Sequence, residues 1–382
     1  MTRVAGPCIE QLETQAVCPM LTDAGHQALF VGGCVRNALL GEPVNDIDIS
    51  TDAAPDRVVA LAKAAGLKPV PTGIDHGTVT VVSGHVPHEV TTFRRDVETD
   101  GRRAVVAYTP DVREDALRRD FTMNALYARP DGGIVDPLGG LADLRARRVL
   151  FIEDPEARIR EDYLRILRFF RFHAWYGDTQ AGIDAEGLAA CGKLSAGLET
   201  LSAERITAEM LKLLAAPDPA PAVASMAHAG VLARVLPGAS AGALPVQVEL
   251  EAGVGATPEA IRRLAVLGGD AVAHLRLSKQ QVRRLGAMRD LARRGVGPAE
   301  IAYRQGADMA RDAVLLRAAL TGQEMPPGFE AQIATGAAAR FPVGPADLMP
   351  RYGGAALGER LKRLEQDWID SGFALTRDEL LG

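Results

Sequence analysis

The chain has 382 residues, 47% of them hydrophobic, and a formal net charge of −6, which is enough apolar material for two to four packed units. No apolar run reaches the roughly 18–20 residues that cross a bilayer, because Pro217, Pro219, Pro221 and Pro237 interrupt the closest stretch; no positive leader precedes an apolar core, so the chain is expected to be cytoplasmic and not exported. The acidic balance excludes a globally basic nucleic-acid binder, and Cys8, Cys18, Cys34 and Cys191, with no C-x-x-C spacing, read as reduced thiols and not as a zinc site or disulfide frame.

In chain order, the first informative stretch is Val31-Gly32-Gly33-Cys34-Val35-Arg36. Two glycines let the backbone turn sharply and approach a ligand closely. The helix that follows presents its free N–H groups and positive dipole end to an anion at Gly33, and Gly41 is placed to stop it. Asn45-Asp46-Ile47-Asp48-Ile49 alternates like a strand and sets both carboxylates on one face. A phosphate cradle beside a two-carboxylate Mg²⁺ clamp suits chemistry on a nucleoside triphosphate. The segments 77–83 and 87–94 are β-branched and bounded by Gly and Pro, so both read as strands. Glu89, on the second, is the best third carboxylate for the site. The polar segment 95–112 has the composition of a mobile loop. Arg118-Arg119-Asp120-Phe121-Thr122-Met123-Asn124-Ala125-Leu126 groups polar residues at one end of an expected helix, where Arg119 could reach a triphosphate.

From about 154 onward helical periodicity takes over. Asp154-Pro155 opens one long helix that Gly177 closes. Within it Leu164, Ile166, Leu167, Phe169, Phe170 and Phe172 cover almost the whole circumference, which marks a buried helix. Asp162, Arg165, Arg168 and Arg171 then form a row that is costly to bury without partners and suits a polar groove that takes a ligand. A carboxylate accepts from the exocyclic amino group of cytosine or adenine, and a guanidinium donates to the ring nitrogen beside it, whereas uracil and guanine present the opposite pattern. Leu201-Ser202-Ala203-Glu204-Arg205-Ile206 is equally a capped amphipathic helix or a substrate-contacting one. Ser278 and Gln281 have capping-box spacing. Residues 257–320 carry twelve Lys or Arg against six Asp or Glu, a local balance of +6; Arg262, Arg263, Arg283, Arg284, Arg293 and Arg294 there make either a solvated face or an RNA-phosphate patch.

Three of these runs together resemble the signatures of class II nucleotidyltransferases, the polymerase β-like group of bacterial tRNA CCA-adding enzymes and poly(A) polymerases: the glycine turn with Asp46 and Asp48, the run 118–126, and Glu161-Asp162-x-x-Arg165. The resemblance is firm over about 28–215. The family places Asp where this chain has Asn37. The resemblance implies an α/β nucleotidyltransferase head (a small mixed sheet with helices) followed by an all-α neck, body and tail, with boundaries expected at 1–142, 143–216, 217–300 and 301–382. It implies addition of CMP and AMP from CTP and ATP to the 3′ end of tRNA, with Mg²⁺ held by Asp46 and Asp48, Glu89 completing the site or taking a proton, and Gly33, Arg36 and Arg119 holding the triphosphate. Asp162 and Arg165 would read the base, and Arg168 and Arg171 would contact the nucleotide. The rivals are a poly(A) polymerase, an enzyme adding only CC or only A, and a catalytically dead RNA-binding relative; retention of the segment 95–112 argues against CC-only addition, and retention of all three carboxylates against a dead relative.

Overall fold

The computed structural model describes residues 3–44, 46–100 and 103–382, so Asn45, Gly101 and Arg102 lie outside the described residues. The chain divides into two compact units, Met1–Val235 and Leu236–Gly382. The expected segments 1–142 and 143–216 fall in the first unit and 301–382 in the second, while 217–300 spans the border. No helix among the described residues is long and apolar enough to cross a membrane.

The first unit opens with helix α1 (Leu12–Thr22), strand β1 (Leu29–Val31) and helix α2 (Gly33–Leu40). There follow β2 (Asp48–Thr51), helix α3 (Pro55–Ala64), β3 (Lys68–Gly73), β4 (Thr78–Ser83) and β5 (Val86–Thr92). After β6 (Arg94–Asp100) and β7 (Arg103–Tyr108) come helix α4 (Val112–Leu117), β8 (Tyr127–Ala128) and β9 (Ile134–Val135). Seven of the strands form a mixed sheet in the order β3-β4-β5-β2-β1-β8-β9, in which only the β2–β5 pair is parallel. Strand alternation sorts its side chains: Val79, Val81, Ile49 and Val90 are fully buried, so the residues between them face the other way.

Three local expectations are corrected here. The segment 95–112, expected as a loop, is largely the β6–β7 hairpin, paired from Arg94 opposite Tyr108 to Asp100 opposite Arg103 with an irregularity between Asp96 and Glu98. Its Val97, Thr99, Val105 and Val106 supply the β-branched character that a reading of its charges passed over. The run 118–126 does not start a helix. Helix α4 ends before it, and a single 3₁₀ turn over Thr122–Asn124 carries the chain on. The reason is local: Asp120 accepts from the Phe121 amide at 2.9 Å and from the Asn124 side chain at 2.8 Å, bonds that compete with helical ones. The helix expected from Asp154 to Gly177 is two, α5 (Pro155–Glu161) and α6 (Leu164–Tyr176). At the break Asp162 is extended, with φ −154° and ψ 106°, and its Oδ1 accepts from the Leu164 amide at 3.1 Å. Tyr163 is seated against Gly197, where a Cβ would fall 2.0 Å from a ring carbon. Asp162 therefore does not share a helical row with Arg165, Arg168 and Arg171.

Helix α6 is buried as expected, and it docks on the run 118–126 through aromatic rings. Phe121 lies 5.0 Å from Phe151 and 5.0 Å from Phe172, and Phe151 lies 5.2 Å from Phe169, each such pair contributing about 0.5–1.5 kcal/mol beyond its buried area. Helix α7 (Ala203–Leu214) packs along α6.

The second unit is helical throughout the described residues, with α8 (Leu244–Gly253), α9 (Ala260–Leu267), α10 (Lys279–Arg294) and α11 (Ala307–Thr321). Ser278 and Gln281 make the expected capping box at the start of α10. Arg262 and Arg263, expected in an RNA-phosphate patch, are instead core residues, 4% and 1% exposed. Glu251 accepts from both, at 2.7 and 2.8 Å, and Asp312 accepts from Arg262 at 2.7 Å and also pairs with Arg284. Their charge is spent inside the unit because two buried carboxylates face them. Arg283, Arg293 and Arg294 are exposed. Removing one member of a buried ion network leaves the others uncompensated, at a cost of about 3–5 kcal/mol. Glu251→Ala should accordingly lower the calorimetric melting temperature of the second unit sharply, and an unchanged transition would show that Arg262 and Arg263 find other partners at no cost.

Candidate active site

The glycine turn is built as its sequence requires. Gly32 has φ 70° and ψ −119°, a conformation that L side chains avoid. Its amide bonds the Leu126 carbonyl at 3.1 Å, and a Cβ there would lie 3.3 Å from Nη1 of Arg119. The turn thus brings bare backbone and a guanidinium together where α2 begins, and Gly41, left-handed at φ 73°, ends that helix as expected. Arg119 is fixed from behind: Asp115 accepts from it at 3.2 Å, and its Nε donates to the Tyr127 hydroxyl at 3.2 Å. Burial alone would raise the Asp115 carboxyl, but Arg119 and Arg118 outweigh it and hold the carboxyl below its usual range.

Asp48 on β2 is the direct register partner of Glu89 on the parallel β5, so strand pairing brings together two carboxylates that are far apart in sequence. Their in-register neighbours Ile49 and Val90 are fully buried, which turns Asp48 and Glu89 to the opposite face, and Asp46 is exposed just before β2. The Asp48 carboxyl is pushed from its ordinary 3.8 up to about 6, first by burial and then by repulsion from Glu89 and Asp46, against an opposing pull from Arg119. Among the described residues no three acidic, His or Cys side chains are gathered closely enough to hold a metal unaided. Two hard carboxylate donors completed by substrate phosphate oxygens are nevertheless the usual Mg²⁺ arrangement, and a repelled carboxylate pair gains from a cation, so these residues fit a divalent metal.

Arg36, expected on the triphosphate, is 7% exposed and occupied within the chain. It bonds the Asn124 side-chain oxygen, Asn37 Oδ1 at 2.9 and 3.1 Å, and the Tyr176 hydroxyl at 2.9 Å, and it stacks 4.1 Å from the Tyr176 ring centroid. It ties α2 to α6 and is not presented to a ligand. Asn37 adds what an Asp could not: its Nδ2 donates to the Pro43 carbonyl at 2.8 Å, linking the glycine-turn helix to the segment that leads to the carboxylates. Asn124 in turn donates to Asp120, whose other oxygen takes Arg168 at 2.5 and 2.7 Å. Burial of Asp120 would raise its pKa, and Arg168 and Asn124 overcome this and hold it down.

Asp162 and Arg165 are not paired with each other. Asp162 Oδ2 accepts from Arg205 at 2.7 Å, while Arg165 donates to Glu161 at 2.6 Å and to the carbonyls of Arg158 and Arg118 at 2.9 and 3.0 Å. Arg171 pairs with Glu209 at 2.6 Å. Every residue of the expected base-reading set therefore has a counter-charge from another position. The partners Asp115, Tyr127, Glu161, Tyr176, Arg205 and Glu209 were not singled out from sequence as site residues. Arg205 lies in the run 201–206, already read as a possible substrate-contacting helix, and could have been; Asp115 leaves no sequence signal.

Residues 28–150 match the family model for the poly A polymerase head domain, and residues 182–242 match that for the probable RNA and SrmB- binding site of polymerase A. The chain is 41% identical over 216 residues to a CCA-adding enzyme of Geobacillus thermodenitrificans, a match covering 56% of this chain and 52% of that protein. It is 37% identical over 216 residues to the human mitochondrial CCA tRNA nucleotidyltransferase 1, covering 56% of this chain and 50% of that one. The matches thus span about half the length of these curated relatives. Among solved structures, a Bacillus stearothermophilus CCA-adding enzyme in complex with CTP aligns with a TM-score of 0.71 at 28% identity, covering 96% of this chain and 94% of that one. A Thermotoga maritima CCA-adding enzyme complexed with tRNA shares the fold, with a TM-score of 0.72 at 18% identity over 100% of this chain and 97% of that one.

The raised Asp48 value has a directional consequence. Between pH 4 and 6 the folded chain keeps a proton that the unfolded chain has released, so this carboxyl favours folding less as pH rises through that window. In metal-free protein, ¹³C NMR of labelled Asp carboxyls should show Asp48 titrating near pH 6. Glu89→Gln should move that midpoint down; an unmoved midpoint would assign the rise to burial and Asp46.

Proposed function

We propose that the chain is a class II nucleotidyltransferase that adds CMP and AMP to the 3′ end of tRNA from CTP and ATP, releasing pyrophosphate, a reading supported by its matches to the polymerase head model and to CCA-adding enzymes. The observation that carries this reading is the alignment, over nearly the whole of both chains, with a CCA-adding enzyme bound to CTP. A poly(A) polymerase, which shares the head, is the second reading, favoured by the names of the two family models.

In the reaction the 3′-oxygen of the RNA attacks the α-phosphorus, the bond to the bridging oxygen of the β-phosphate breaks, and pyrophosphate leaves. Mg²⁺ held by Asp46 and Asp48 would supply Lewis-acid activation of the 3′-hydroxyl and charge neutralisation of the leaving group. The backbone at Gly33 and the start of α2 offer N–H donors and a positive dipole end to the triphosphate, and Arg119 adds a charge-assisted donor beside them. Glu89 completes the acidic face and is placed to accept the hydroxyl proton. This reading assigns the amino group and ring nitrogen shared by C and A to Asp162 and Arg165, with Arg168 and Arg171 following Arg165 along α6. Arg283, Arg293 and Arg294 are the exposed cations left for RNA phosphates.

Incubation with tRNA lacking its CCA end and each labelled triphosphate separates the readings: two CMP and one AMP support this one, and a run of AMP alone replaces it with polyadenylation. Asp46→Ala or Asp48→Ala should abolish both additions while leaving tRNA binding within a few-fold of wild type; near-wild-type turnover in Mg²⁺ by either would sink the carboxylate assignment. Replacing Arg283, Arg293 and Arg294 together by Gln should raise the KM for tRNA far more than that for CTP and flatten its salt dependence. An unchanged tRNA KM would return these side chains to an ordinary solvated face.

A further inference from the structure

Resting on that reading of the base site, we propose that Arg205 is a positioning residue for nucleotide choice: it fixes the direction of the Asp162 carboxylate that reads the base. Asp162 lies at the break between α5 and α6, where its extended backbone removes the rotamer restrictions that a helix imposes. Among the described residues two hydrogen bonds aim its side chain. Oδ1 is held by the Leu164 amide at 3.1 Å, and Oδ2 by Nη2 of Arg205 at 2.7 Å. The break itself is fixed independently, because Tyr163 packs on Gly197 so closely that no side chain fits at that glycine. Backbone direction is therefore set by Tyr163 and Gly197, and carboxylate direction by Arg205.

The pair is half-buried, with 27% of the Arg205 side chain and 31% of the Asp162 side chain exposed. Oδ2 has a second lone pair, so it can hold Arg205 and still accept an exocyclic amino group. A carboxylate held in this way is acceptor only. Cytosine and adenine satisfy it, while uracil and guanine set a carbonyl oxygen against it and leave both groups unpaired, which is the kind of mismatch that rejects analogues by several orders of magnitude. Arg165 cannot do the aiming, since its guanidinium is committed to Glu161 and to the carbonyls of Arg158 and Arg118. Without Arg205 only the Leu164 amide holds the carboxylate, which can then swing out of the direction that accepts an amino group.

The test uses the full chain and compares kcat/KM for CTP and UTP in Arg205→Ala, Arg205→Gln, Arg205→Lys and Asp162→Ala, with melting temperature and tRNA KM as structural readouts. Arg205→Ala and Arg205→Gln should lower the CTP/UTP ratio at least tenfold with tRNA KM within about threefold of wild type, and Arg205→Lys should recover part of the ratio. If Arg205→Ala fails to fold, Arg205→Gln decides by the same criterion. A wild-type ratio in a folded Ala or Gln variant overturns the proposal and leaves the pair as a tie between α7 and the break. Absence of nucleotide addition by the wild-type chain would count against the proposed function. A wild-type ratio in Asp162→Ala would count against base reading at that residue. Both outcomes are distinguishable from failure of the Arg205 role alone.

Discussion

The buried carboxylate of Asp120 is the interaction on which the site's geometry depends. One of its oxygens holds the Phe121 amide and the Asn124 side chain, and the other holds Arg168 on α6. Asn124 passes the connection to Arg36, and Arg36 to Tyr176, so glycine-turn helix, polar turn and base-side helix share one hydrogen-bonded network with aromatic rings packed beneath it. A buried carboxylate with a single partner would be a liability. With three it is satisfied, and the low dielectric around it strengthens each bond. The network also commits Arg36 to the fold: moving it to a phosphate would strand Asn124 and Tyr176.

The opposite electrostatic condition holds at Asp48. There burial and two carboxylate neighbours raise the cost of the charged form, and no side chain offers full compensation. The two acids belong to the same unit. Asp120 is saturated with donors and structural, while Asp48 is left short of positive charge and is thereby suited to recruit a cation with its substrate. Perturbed carboxyls of the second kind mark chemistry more often than packing does.

Much of this was legible in the chain. Gly32 and Gly41 announced the turn and the helix end because their left-handed backbone favours glycine, and the neighbouring Asp46 and Asp48 pointed to the acidic face. The pairing of Glu89 with Asp48 was within reach of strand patterning. What failed were readings in which local polar chemistry or distant counter-charges decide the outcome. Asp120 and Asp162 each bend the chain by bonding nearby amides, which helical periodicity does not register. The β6–β7 hairpin was hidden by its charges. Arg262 and Arg263 counted as surface cations until Glu251 and Asp312 were seen to face them, and no local window contains all four.

The parallel pairing of β2 with β5 carries a consequence for how the molecule is made. Glu89 meets Asp48 only after a loop of about forty residues, with α3, β3 and β4 inside it, has closed, and parallel non-local pairings of this kind form slowly. The acidic face is therefore absent from early collapsed states, so no ligand that needs both carboxylates can guide the first steps of folding. Any such ligand would stabilise only the finished sheet.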